Sequence, residues 1–253
     1  MSGPIKPAVS QDALIAAFKG FKNPQYQRHN SRRLEHLASL GLDLHGKSVL
    51  ELGAGVGDHA TFFLDRDCTL TSLEPRPENC KIFADTMTML GAAGYGRTPK
   101  SRLISGDVES LDRLVAGTFD IVFCYGLLYH LKDPESMLAA MAARCTGLLL
   151  LETCVSFGRE EAINSLSEPV ADPTQAFDGT GCRPTRPWVF SRLKELFPHA
   201  YVPRTQPAHE EFPLDWTVPI PAAGYTRAIF IGARAALNNP LLLDDLPDRQ
   251  TAG

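Results

Sequence analysis

The feature that most constrains this chain is a glycine-rich turn directly after a short apolar segment, Val49-Leu50-Glu51-Leu52-Gly53-Ala54-Gly55-Val56-Gly57-Asp58. The apolar run predicts a buried strand over residues 48–52. Glycines after it let the chain turn tightly and let backbone approach a ligand. A helix that follows such a turn presents its first N–H groups at the same place. In an α/β sheet that place is the carboxyl edge of the first strand, where nucleotide-type ligands bind. The spacing of Gly53, Gly55 and Gly57 departs from the dinucleotide fingerprint, which needs a glycine further along. An ordinary glycine turn looks the same locally, so the rest of the chain must decide.

Apolar strand segments recur at residues 69–74, 101–104, 119–124, 147–152, 199–205 and 227–232. Helical periodicity falls between them, over residues 78–90, 135–144 and 188–197, and before them over residues 11–21 and 26–40. Alternating strands and helices, with apolar strands, predict an α/β fold: a seven-stranded, mostly parallel sheet covered by helices on both faces. Residues 1–10 read as a loose arm, and residues 1–46 as an N-terminal helical cap on a domain covering residues 47–253. Residues 153–187, rich in glycine and proline, read as an inserted lid; so long a connection is usually functional or disordered. Residues 207–224 form a second irregular stretch, and the tail from Asn238 is polar and proline-containing.

Two acids fall in register with the glycine turn. Glu74 ends the second strand about twenty residues on, where a carboxylate accepts hydrogen bonds from ribose hydroxyls. Asp107 follows the third strand, within reach of an adenine amino group. Each alone is more often a solvated surface charge. Together, at three successive strand ends, they point to an adenosine ligand.

The glycine loop, Glu74, Asp107 and the block from Phe119 to Pro134 together resemble the class I S-adenosylmethionine-dependent methyltransferases. The resemblance covers residues 47–153 and continues to residue 234. It implies a Rossmann-like methyltransferase sheet whose last strand is antiparallel, with S-adenosylmethionine as the cofactor. It implies that Glu51, Gly53, Ala54 and Gly55 surround the methionine part. It places Glu74 and Pro75 at the ribose, Asp107 and Val108 at the adenine, and Tyr125 beside the methyl donor. An NAD site fits the glycine spacing less well. The Leu-Tyr-His-Leu run at residues 128–131 resembles small-molecule methyltransferases. With Leu151-Glu152-Thr153 it is also similar to the tRNA wobble-uridine carboxymethyltransferase.

Candidate chemistry clusters beyond the fourth and fifth strands. His130 can take a proton from an attacking hydroxyl or amine, or it can simply order its loop. Glu152 can serve as base, bind the acceptor, or make a structural hydrogen bond. Tyr129 can wall the acceptor or pack in the core. Arg183 and Arg186 in the insertion suit a carboxylate or phosphate on an acceptor, or pair with surface acids. His209, followed by Glu210 and Glu211, is an acceptor-binding candidate. It lacks a third ligand at helical or strand spacing, so no metal is expected there. Tyr26, Arg28 and Asn30 either touch the cofactor or lie on a solvated helix face.

A formal net charge of −4, with basic residues scattered, disfavours nucleic acid as the partner. A small-molecule acceptor, a sugar or secondary metabolite methylated on oxygen or nitrogen, is expected instead. A non-catalytic adenosine-binding module is the reading from another class. No pair among the six cysteines has metal-knuckle or redox spacing. The longest strongly apolar run, Leu148 to Leu151, is far too short to span a bilayer. A reducing cytoplasm is the expected setting. Oligomeric state leaves no mark in the sequence.

Overall fold

A computed structural model describes residues 9–92, 100–172, 174–219 and 225–253. The expected N-terminal arm falls mostly outside them, as do Pro173 of the insertion and residues 220–224.

The chain opens with two helices, each started by a side chain that satisfies N–H groups lacking an intrahelical partner. Ser10 caps α1 (Gln11–Lys22), its Oγ accepting from the Ala13 N–H. Asn23 caps α2 (Pro24–Ser39) by accepting from the Tyr26 N–H, and Pro24 stands in the first turn, where no N–H is needed. The alternating part follows: β1 (Ser48–Leu52), α3 (Ala60–Leu64), β2 (Thr69–Glu74), α4 (Pro77–Ala92), β3 (Ser101–Ser105), α5 (Leu111–Leu114), β4 (Phe119–Tyr125), α6 (Pro134–Arg144) and β5 (Cys145–Cys154). The insertion holds β6 (Ile163–Ser167) and β7 (Thr180–Pro184), paired as an antiparallel hairpin that the sequence reading missed. Then come α7 (Arg186–Leu196), β8 (His199–Pro203), β9 (Thr205–Gln206), β10 (Arg227–Ala233), β11 (Leu242–Leu243) and β12 (Thr251–Ala252).

Among the described residues the main sheet has eight strands, ordered β11-β8-β10-β5-β4-β1-β2-β3. The run from β3 to β5 is parallel. β10 is antiparallel to both neighbours, as expected of the last long strand. The strand beyond the expected seven is β11, two residues long and antiparallel to β8. Two residues are too few to show a periodicity. For a similar reason residues 199–205, read as one strand, are two: the chain breaks at Arg204, and β9 leaves to pair with β12.

Apolar clusters cover both faces. Leu37, Phe63 and Phe83 pack α2, α3 and α4 on one side; Leu111, Met141 and Leu193 pack α5, α6 and α7 on the other. Cys68, Cys124, Cys145, Cys154 and Cys182 are buried. No helix among the described residues is long and apolar enough to cross a membrane. The strand order reverses direction at β1, whose neighbours are β2 and β4. Helices crossing to opposite faces there leave a crevice at the carboxyl ends of β1 and β4.

Candidate functional site

A cavity occupies that crevice. Gly53, Ala54 and Gly55 after β1, Glu74 and Pro75 after β2, Asp107 and Val108 after β3, and Tyr125 at the end of β4 all line it. Tyr129 and His130, in a single helical turn after β4, line its far end. The cap closes it from above with Phe21, Tyr26, His29 and Arg33, and β10 contributes Arg227.

The glycine turn is built for close approach. Gly53 and Gly55 have φ of 71° and 53°, a region that side chains with a Cβ rarely adopt. The Gly55 N–H donates to Glu74 Oε2 at 2.9 Å. Glu74 Oε1 accepts from the Arg76 N–H and from Asn79 Nδ2. A carboxylate has about four lone-pair sites, so roughly one remains, on Oε2. Burial pushes the Glu74 carboxyl above its ordinary value, and these hydrogen bonds oppose the shift. Asp107 Oδ1 accepts from the Glu109 N–H and so fixes the turn that presents Val108.

Behind the cavity wall runs a chain of buried polar contacts. Glu51, fully buried, accepts from Ser72 Oγ at 2.7 Å and meets His59 Nδ1 at 3.2 Å. His59 Nε2 meets Asn30 Oδ1 at 2.8 Å, and Arg33 donates to the same oxygen at 2.9 Å. Arg33 also donates to Glu152 Oε2 at 2.8 Å, and Arg227 to Glu152 Oε1 at 3.1 Å. Arg227 continues to Glu211 Oε2 at 2.6 Å and to the Tyr129 hydroxyl at 3.2 Å. Glu51 thus lies beneath the cavity rather than in its wall, and His59 lines the wall in front of it. Glu152 is likewise enclosed, with both oxygens held by guanidinium groups. Burial alone would raise its carboxyl, but Arg227 and Arg33 hold it below the ordinary value. Such a carboxylate is a poor proton acceptor.

His130 sits differently. Its Nδ1 meets Glu168 Oε2 of the insertion, and Glu168 also accepts from the Ala176 N–H and from Arg183. A carboxylate at Nδ1 places the hydrogen there and leaves the lone pair on Nε2. Burial lowers the His130 pKa, and Glu168 opposes that shift. The Tyr125 hydroxyl is buried and makes no hydrogen bond among the described residues.

The remaining candidates separate. Arg183 does not line the cavity; it lies 4.8 Å over the Tyr129 ring and donates to the Tyr129 carbonyl. Arg186 belongs to another cavity, where its guanidinium stacks 3.9 Å over Trp216 and donates to the Pro247 carbonyl. His209 lines a third cavity, with its ring 4.9 Å from that of His29. Tyr26 faces the main cavity, Asn30 is buried behind it, and Arg28 is exposed and paired with Glu210. Arg33, His59, Glu168 and Arg227 escaped the sequence reading as site residues. A signal existed for the cap: Tyr26, His29, Asn30, Arg33 and His36 recur at helical spacing, a polar stripe on the buried face.

The sequence profile of the methyltransferase domain family matches residues 25–199. The chain is similar to the ubiquinone biosynthesis O-methyltransferase of Vibrio parahaemolyticus serotype O3:K6, with 31% identity over 114 residues, 45% of this chain and 46% of that protein. It is similar to the tRNA U34 carboxymethyltransferase of Enterobacter sp. strain 638, with 30% identity over 135 residues, 52% of this chain and 38% of that protein. These matches span less than half the length of either relative. Among solved structures the fold resembles the N-terminal domain of EvdMO1 crystallised in the presence of SAH and D-fucose, at TM-score 0.61 and 22% identity over 84% of each chain. It also resembles magnesium protoporphyrin IX methyltransferase from Synechocystis PCC 6803 with bound SAH, at TM-score 0.55 and 14% identity over 88% of this chain and 94% of that one. With a profile match covering more than half of its length, on a sheet of this topology, the chain belongs to the methyltransferase domain family.

Proposed function

We propose that the protein is an S-adenosylmethionine-dependent methyltransferase acting on an oxygen or nitrogen of a small-molecule acceptor, a sugar or secondary metabolite. The observation that carries this reading is one continuous cavity at the sheet's switch point. Glu74 keeps acceptor capacity at one end, and a carboxylate-backed histidine stands at the other. The residues present fit the cofactor: a glycine cradle, unsaturated acidic acceptors at the ends of β2 and β3, and an unpartnered tyrosine hydroxyl. Bound there, the cofactor supplies a methyl group already activated on a sulfonium.

The chain's own residues do the rest. Gly53, Ala54 and Gly55 enclose the methionine part, with His59 braced from beneath by Glu51. Glu74, beside Pro75, would accept from a ribose hydroxyl through its remaining site, and Asp107, next to Val108, would accept from the adenine amino group. Tyr125 bounds the reacting end, and Tyr129 and Arg227 wall the acceptor. Nε2 of His130 receives the proton that the acceptor O–H or N–H loses. Glu152 and Arg183 act as positioning residues: the first aligns Arg33 and Arg227, the second braces Tyr129 and Glu168. Residues 1–46 serve as the cap and residues 153–187 as the lid, which delivers Glu168. The EvdMO1 domain structure, obtained with SAH and D-fucose, supports a sugar hydroxyl as acceptor class.

Calorimetric titration with S-adenosylhomocysteine tests the cofactor half. A hydrogen bond to a charged group contributes roughly 1.5–3 kcal/mol, so Glu74→Ala should weaken binding about 10- to 150-fold. Asp107→Ala should weaken it by removing the adenine contact. Wild-type affinity in both variants overturns the assignment.

A further inference from the structure

His29, His209 and Glu211 each offer a ligand atom, and these three atoms lie within 4.8 Å of one another. His29 comes from the cap helix α2. The other two come from the loop between β9 and β10, which is why spacing along the chain gave no third ligand. Both imidazoles are buried, with side-chain exposures of 7% and 0%. Among the described residues neither ring nitrogen of His29 makes a hydrogen bond, and neither does Nε2 of His209. A neutral imidazole carries one N–H donor and one lone pair, and burying both without partners is costly. Folds rarely leave such groups unmatched; His29 Nδ1 faces Glu211 Oε2, while His209 Nδ1 accepts from the Glu211 N–H and its Nε2 stands 3.8 Å from Glu210 Oε1.

We propose that His29, His209 and Glu211 form a binding site for one borderline divalent transition-metal ion, of the Zn²⁺ or Co²⁺ class. Two imidazoles and a carboxylate suit such ions and not Mg²⁺ or Ca²⁺, which prefer oxygen ligands. Bonds of about 2.0–2.2 Å in tetrahedral geometry need ligand atoms about 3.4 Å apart. His29 Nδ1 already stands 3.4 Å from Glu211 Oε2, and a ring nitrogen of His209 lies within 4.8 Å of both ligand atoms. Arg227, which donates to Glu211 from behind, orients that ligand. The ion has a path in, because His209 lines a surface cavity with Pro207, Phe212 and Leu214. It would pin the cap helix to the loop before β10, at the wall of the main cavity that His29 lines. The site uses none of the residues assigned above to the cofactor or to proton transfer.

The test is a titration of the chelator-stripped full chain with Co²⁺, followed by visible d–d absorption and by metal content after dialysis. One Co²⁺ per chain should bind saturably, be displaced by Zn²⁺, and raise the thermal midpoint as the free ion rises. His209→Ala should weaken binding by at least ~10-fold. His29→Phe keeps the ring packing on His209 and Phe212 but removes both nitrogens, and it should weaken binding equally. His130→Ala should bind Co²⁺ like the wild type. Circular dichroism establishes that each variant is folded. Absence of saturable uptake by the wild type overturns the proposal even if a variant fails to fold. So does uptake unchanged in folded His209→Ala or His29→Phe.

Discussion

Arg33 Nη1 donates to Glu152 Oε2 across 2.8 Å with both side chains buried, and so ties the cap helix α2 to strand β5 of the sheet. Because Glu152 is also held by Arg227 of β10, three elements distant in sequence meet at one carboxylate. The cap is therefore joined to the sheet by charge as well as by the apolar contacts of Leu37 and Leu40.

Removing either partner should show in stability. Breaking a buried ion pair by truncating one side costs about 3–5 kcal/mol, because the other charge is left without its partner. Arg33→Met should lower the thermal midpoint by several degrees or more. The pH dependence carries a sign. The folded-state pKa of Glu152 is depressed, so its contribution is fully present above the ordinary carboxylate value of 4.5 and is lost as pH falls through the lower folded value. Glu152→Gln should flatten the acid limb of the stability curve. An acid limb identical to the wild type's in chemical denaturation would show that the pair contributes nothing.

Gly55 makes a second, separable prediction. A Cβ added there would stand 2.9 Å from the Phe21 ring of the cap, on a backbone with φ of 53°. The substitution Gly55→Ala should weaken S-adenosylhomocysteine binding through both effects. In the double variant with Phe21→Ala the ring contact is gone and only the backbone strain remains, roughly 1–2 kcal/mol. Affinity should therefore recover in part. No recovery in calorimetry would assign the whole loss to the glycine turn itself.

The glycine turn, Glu74 and Asp107 were legible because each depends on its neighbours in the chain: a strand end, a turn, an acid in register. The cap residues were legible only as a stripe, since α2 is a polar helix whose buried face looks charged rather than apolar. Arg227 opens a strand that is otherwise apolar, and nothing local says that its guanidinium turns inward to Glu152 and Glu211. Glu168 and His209 were hardest to place, because their partners His130 and His29 arrive from loops and helices far along the sequence. Long-range polar pairing leaves no periodic trace, whereas burial of one face does.

The similarity to tRNA U34 carboxymethyltransferases gives the acceptor reading a direct rival. With a net charge of −4, the chain should bind bulk tRNA weakly, and what binding there is should fade steeply with salt. Filter binding at physiological salt measures this. Sub-micromolar, length-dependent affinity would replace the small-molecule acceptor with RNA while leaving the cofactor assignment in place.

His130 and Glu168 make the sharpest prediction about chemistry. If Nε2 takes the acceptor proton, His130→Ala should lower turnover by about 10²–10⁴ while cofactor affinity stays near the wild-type value. The base must be neutral to act, so the wild-type rate should fall as pH drops through the His130 pKa. Burial sets that pKa below the ordinary 6.5, with Glu168 opposing, so the inflection should lie on the acid side of 6.5. Glu168→Gln removes the charge that raises it, and the inflection should move further toward acid. The same substitution removes the carboxylate that fixes the hydrogen on Nδ1, so turnover at the pH plateau should fall too. A residue that only holds the lid in place would lower activity without moving the inflection. Rate profiles of the wild type and Glu168→Gln, taken at saturating acceptor and cofactor, separate the two. An unmoved inflection would make Glu168 a lid anchor, and full activity in His130→Ala would leave positioning alone to account for the rate.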